Sequence, residues 1–183
     1  MPTTDVSPTR LTYQDYVLFP NDRNRHEIID GRHYKNPAPS PRHQAVSRHI
    51  QFQLYQQIEL KGLGVVINAP IDVQFSESDI VQPDLVVILS ENHIITPTRV
   101  KGVPDLVIEV LSASHRAHDL QLKKQLYEQA GVPEYWIVDP ENQTATKYVL
   151  TTAMVYDEGT VETAEITWKS SVGDFPVDLV RVW

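Results

Sequence analysis

The stretch Pro104–Ser112 reads "PDLVIEVLS", and its reading decides the fold. Leu106, Val107, Ile108, Val110 and Leu111 form a near-continuous apolar run of strand length, the pattern of a strand buried on both faces. Into that run the chain inserts Glu109. An unpaired carboxylate in such surroundings costs several kcal/mol, so it calls for a proton, a basic partner or a metal ion. The choice among these three determines what the protein does.

The 183 residues suit one domain, long enough to bury a core without disulfide staples. Hydrophobic residues at 41% and charged residues at 22% are globular values. No apolar run approaches the ~20 residues of a membrane span, and Met1–Arg10 is too polar for a signal peptide. The absence of cysteine excludes disulfides, thiolate metal sites and a Cys nucleophile, and fits a reducing cytoplasm. The net charge of −8 argues against a nonspecific polyanion binder, yet it is unevenly spread. Residues 1–61 carry eight Lys/Arg against six Asp/Glu and four of the seven histidines, whereas residues 131–183 carry three against nine. A polyanion would therefore meet the N-terminal half.

Around the deciding stretch the elements fall into order. Residues 1–10 are expected as a loose tail and 11–183 as a single domain. Thr12 caps a short helix in "TYQDYVLF", and Asp30-Gly31 makes a tight turn within "HEIIDGRHYKN". Ser40-Pro41 opens a long helix that Gly62 stops, with Val46, Ile50, Leu54 and Ile58 as its buried stripe and His43 at the start. Strands are expected at about 64–67, 71–75, 84–89 and 105–111, a second long helix over 116–130, and a buried strand in "EYWIVD" (134–139). The remainder, "ATKYVL", "AEITWK" and "VDLVRVW", reads as an antiparallel appendage. The fold class is a mixed α/β sheet flanked by helices, with β-rich ends.

Partners for Glu109 can be sought by geometry. Asp105 lies four residues earlier on the same strand, roughly 13 Å away, too far to share an ion. Asp84 begins another strand and can converge with Glu109 if the two strands are neighbours. In the second helix Asp119, Leu122, Lys123, Leu126, Tyr127 and Ala130 share one face, so the apolar members carry Asp119, Lys123 and Tyr127 inward, while Lys124 turns about 100° away. The plainer reading of Glu109 and Lys123 is an ion pair locking helix to sheet. Glu27, alternating with apolar residues, also reads as a surface strand carboxylate, and His43 as a helix-start histidine bonded to backbone.

The motifs "HEIIDG", "SPRHQAVS", "QPDLVVI", "LVIEVLS", the trio Asp119, Lys123 and Tyr127, and "GVPEYWIVDP" occur in order over residues 11–140. This set resembles the Uma-two family, a branch of the PD-(D/E)xK nuclease superfamily. The resemblance implies a restriction-endonuclease-like αβββαβ core with a divalent-metal site. By position it makes Asp84 the aspartate of the Pro-Asp motif, Glu109 the glutamate of ExK, Glu27 the N-terminal acidic residue and His43 the histidine opening the first long helix. ExK places lysine at position 111, where this chain has Leu111. The resemblance implies a migrated lysine, Lys123, which the stripe reaches independently.

Phosphodiester hydrolysis would then use Mg²⁺ or Mn²⁺ held by Asp84 and Glu109, with Glu27 holding a second ion or orienting water. Lys123 would position the attacking water, and His43 would contact phosphate or move a proton. Tyr127 and Asp119 would support Lys123. Arg23, Arg25, Arg42 and Arg48 are candidates for phosphate contacts in a DNA substrate. A homodimer is expected for an enzyme that cuts both strands. The alternative is a catalytically inactive nuclease-fold module that binds nucleic acid or protein.

Overall fold

The computed structural model describes residues 10–22, 24–112 and 119–183. Of the expected tail only Arg10 falls among them, and it pairs with Asp30 at the hairpin turn.

Two sheets and a terminal hairpin make up the architecture. The central sheet has six strands in the order β11-β10-β9-β8-β6-β3, where β3 is Gly64–Asn68, β6 Leu85–Leu89, β8 Leu106–Val110, β9 Glu134–Asp139, β10 Thr144–Val149 and β11 Thr160–Glu162. Strands β3, β6 and β8 run antiparallel in turn, and β8 pairs parallel with β9. The parallel step within this sheet needs a crossover, which the second helical segment supplies. A second sheet of five strands, β2-β1-β5-β4-β7, covers one face: β1 Arg25–Ile29, β2 Arg32–Asn36, β4 Val73–Ser76, β5 Asp79–Val81 and β7 Val100–Lys101. Strands β12 (Glu165–Ser170) and β13 (Gly173–Asp178) pair as a separate hairpin.

Alternation along the central strands sorts the core into two layers. Leu85, Val87 and Leu89 of β6, with Leu106, Ile108 and Val110 of β8, meet the apolar stripe of α2 (Pro41–Gln57; α1 is the short helix Tyr13–Tyr16) and the β12–β13 hairpin. Val86, Ile88, Val107 and Leu111 face the other way, toward the second sheet and α3 (Lys124–Ala130). Period two then fixes where Glu109 points: away from α2, into the space between the central sheet, the second sheet and α3. The expected αβββαβ core is therefore α2, β3, β6, β8, α3 and β9. The strand expected at 71–75 exists as β4 but belongs to the second sheet.

Three local readings needed correction. The long helix ends at Gln57 rather than 61, and Glu59–Lys61 tightens to a 3₁₀ turn before Gly62 at φ +69°. Of the helix expected over 116–130, residues 116–118 lie outside the described residues, and Asp119–Lys123 is a π turn that runs into the α-helical turns of Lys124–Ala130. "VDLVRVW" is not one strand: Asp178 accepts from the Val180 N–H at 3.0 Å and starts a 3₁₀ turn at Leu179–Arg181. Among the described residues no helix is long and apolar enough to cross a membrane.

Candidate active site

Strand register brings the two acidic residues together. Leu85 lies opposite Ile108 and Val86 opposite Val107. Continuing that antiparallel register by one residue sets Asp84 opposite Glu109, on the same face. Asp84 has left the ladder but stays tied to it, since its Oδ2 accepts from the Val110 N–H at 2.9 Å.

Each carboxylate has its own cations. Arg25 of β1 donates to Asp84 Oδ1 at 2.7 Å, and His43 Nε2 lies 2.9 Å from Asp84 Oδ2. Burial would raise the Asp84 carboxyl, but the His43 hydrogen bond and the Arg25 charge outweigh it, so the group sits well below the ordinary carboxylate range. Because a carboxylate only accepts, His43 must carry its proton on Nε2. Glu109 Oε1 accepts from Lys123 Nζ at 2.9 Å and from Tyr127 Oη at 2.6 Å. Lys123 and Tyr127, four residues apart, come from one face of the same helical segment, as the spacing predicts. Burial, and the charge of Glu109 after it, push the Tyr127 hydroxyl well above its ordinary range, so it stays a donor.

Glu27 completes the constellation from behind. Its Oε1 lies 3.0 Å from Lys123 Nζ and accepts from the Gln82 N–H at 2.8 Å, while Oε2 accepts from Asn36 Nδ2 at 2.8 Å. Glu27 is fully buried at 0% exposure, so the surface-carboxylate reading does not hold. One ammonium thus stands between Glu27 and Glu109.

Arg25, His43, Asp84, Glu109 and Lys123 all border one cavity of about 470 Å³, closed by the 36–42 segment and by Pro140-Glu141. Glu27 and Tyr127 do not border it. Arg42 reaches its edge and donates to the Pro140 carbonyl at 2.6 Å, whereas Arg48 is exposed away from it. Arg23 and the side chain of Asp119 lie outside the described residues. Among the described residues, no three His, Asp or Glu side chains gather into a ready-made metal cluster. Sequence reasoning missed the role of Arg25 as the ion partner of Asp84. A signal was present: Arg25 precedes Glu27 by two residues and so shares its strand face.

The mixed sheet, its helical crossover and a buried acid–lysine cluster at one strand end define a nuclease-like fold. In agreement, the chain superposes on the crystal structure titled "putative nuclease belonging to DUF820 from Anabaena variabilis ATCC 29413". The TM-score is 0.76 at 16% identity, covering 94% of this chain and 97% of that one. The family model described as "Uma2: Putative restriction endonuclease" matches residues 13–173, and the chain belongs to that family. Among curated proteins no relative matches.

Proposed function

We propose that the protein is a metal-dependent endonuclease that hydrolyses phosphodiester bonds in DNA at the Asp84–Glu109–Lys123 site. The observation that carries this reading is the convergence of Asp84 and Glu109 from adjacent strands on one cavity, with Lys123 Nζ 2.9 Å from Glu109. Family membership supplies the nuclease class.

The donor set suits a hard divalent ion. Asp84 and Glu109 are oxygen ligands opening on a cavity with room for water, and Mg²⁺ or Mn²⁺ characteristically takes one or two carboxylates and fills its other positions with water and phosphate oxygens. When bound, such an ion supplies Lewis-acid polarisation of the phosphoryl group and acidifies water. The remaining work falls to the chain itself. Lys123, held by Glu27, presents a fixed positive charge to the phosphate as negative charge grows on it. Arg25 flanks Asp84 and offers a cationic donor group to the non-bridging oxygens, while His43 holds Asp84 in place through its Nε2–H. Tyr127 orients Glu109 from the core side. Glu27, screened from the cavity, anchors Lys123 in this reading rather than holding a second ion. A homodimer would provide one such site for each DNA strand.

Supercoiled plasmid incubated with Mn²⁺ tests the proposal. The wild-type protein should nick or linearise it, EDTA should stop the reaction, and Glu109→Gln should slow it by at least about a hundredfold. Glutamine is the better probe than alanine, because it keeps the volume and the oxygen that accepts from Tyr127. Equal rates for the two proteins would rule the assignment out.

One observation favours a second reading, a nuclease fold that binds without cutting. Leu111 stands where the motif has lysine, and the acids here already have Arg25, His43 and Lys123 as partners. A retired site of that kind would take up no divalent ion.

A further inference from the structure

The groove does not end at the acid–lysine cluster. Beyond the wall formed by Arg25, Asp84 and His43 a second cavity of about 350 Å³ opens, and it shares Ala38 and Pro39 with the first as well. Its lining chemistry is different. Arg25 and Asp84 border both; the first cavity adds Glu109, Lys123, Arg42 and Glu141 with the single carboxamide of Asn36, whereas the second adds the carboxamides of Asn21, Asn24, Gln44, Asn68 and Gln82. Neutral amides do little for a phosphate's charge. They carry donors and an acceptor side by side, which is the pattern that reads the edges of nucleobases. Part of this set is already fixed in place: Asn68 Oδ1 accepts from Gln51 at 3.0 Å, and Gln82 Nε2 donates to Tyr16 and Asp72 at 3.0 and 2.9 Å.

An independent observation comes from the shared wall. His43 is buried at 4% exposure, its Nε2 is taken by Asp84, and its Nδ1 has no hydrogen-bond partner. Arg25 Nε is likewise buried and unpartnered. Buried polar atoms are nearly always satisfied, so two orphans on the wall between two cavities mark a place that a polar ligand completes.

We infer that the second cavity is a nucleobase subsite, receiving an unstacked base of a single strand beside the phosphate held in the first cavity. The inference rests on the nuclease reading for its substrate class and deepens it: the preferred substrate is single-stranded or locally opened nucleic acid rather than a continuous duplex. The base is read by carboxamides, so preference among bases resides in Asn21 and Gln44, which are exposed and stand outside the catalytic cluster.

The test is equilibrium binding, separate from cleavage. Fluorescence anisotropy in calcium buffer, with gels verifying intact probe, compares short oligo-dA, oligo-dT and oligo-dC with an abasic oligomer of equal length. All four carry the same phosphates. At least one base-bearing probe should bind about tenfold more tightly than the abasic one. An Asn21→Ala/Gln44→Ala protein with wild-type circular dichroism should bring that ratio to within about threefold. Equal affinity for all four probes, an unchanged ratio in the variant, or no binding at all would each overturn the subsite. Plasmid cleavage by the same preparation then judges the nuclease reading on its own.

Discussion

At Lys123 one ammonium serves two buried carboxylates, and that arrangement governs what substitution can do. Removing it leaves Glu27 and Glu109 facing each other with no charge between them. Breaking a buried pair from one side costs about 3–5 kcal/mol, and at about 2–4 °C per kcal/mol for a chain of this size Lys123→Met should melt roughly 6–20 °C below wild type. Glu109→Gln removes a negative charge instead and should lose less than half as much. A Lys123→Met protein that melts within about 2 °C of wild type would show that the two acids do not depend on it. Another buried acid, Glu134 at the start of β9, lies outside the site. Burial pushes its carboxyl from 4.5 up to about 7, although the Trp136 Nε1–H donates to it at 2.6 Å and Lys147 also favours the ionised form. A carboxyl raised by folding stabilises while protonated: the contribution is complete below about pH 4.5 and is lost as the pH climbs through 7. Urea unfolding should therefore show wild-type stability falling by up to about 3 kcal/mol between pH 5 and 8, with no such fall for Glu134→Gln. A wild-type profile that rises over that range would contradict the assignment.

At the scale of elements, the legible features were those set by local chemistry. Asp30-Gly31 sits at the hairpin turn, both residues at positive φ, and Ser40 accepts from the His43 N–H at the start of α2. The long apolar strands β6, β8 and β9 fall within one or two residues of where hydrophobicity places them. The face shared by Lys123 and Tyr127 was readable from spacing alone. What escaped was set by pairing across the chain. Strands β5, β7 and β11 have three, two and three residues, too short for periodicity to register, and exist because neighbouring strands complete their ladders. The division of strands between two sheets was hidden for the same reason, since nothing local in residues 71–76 says which sheet they join. Arg25 was readable as a cation on the strand face of Glu27, but the 59 residues between it and Asp84 hid their pairing. The π turn at Asp119–Lys123 likewise leaves no mark in composition.

For the molecule as a whole, the question is whether the acid pair binds an ion strongly enough to alter global stability. A ligand that binds only the folded state adds RT ln(1 + [L]/Kd), about 2.7 kcal/mol at a hundredfold excess over Kd. At about 2–4 °C per kcal/mol that is a rise in Tm of roughly 5–11 °C. The rise is moderated here, because an ion at Glu109 must compete with Lys123 at 2.9 Å and an ion at Asp84 with Arg25 at 2.7 Å. Glu27 lowers that barrier: it already holds Lys123 at 3.0 Å, so the ammonium keeps a buried counter-charge when Glu109 turns to the ion. Saturating Mn²⁺ should raise the wild-type Tm by about 5 °C or more, with no rise in Asp84→Asn or Glu109→Gln. Equal rises in all three proteins would place the ion elsewhere on this acidic chain. No rise in the wild type would remove the metal from the mechanism and leave the buried lysine as a lock between helix and sheet.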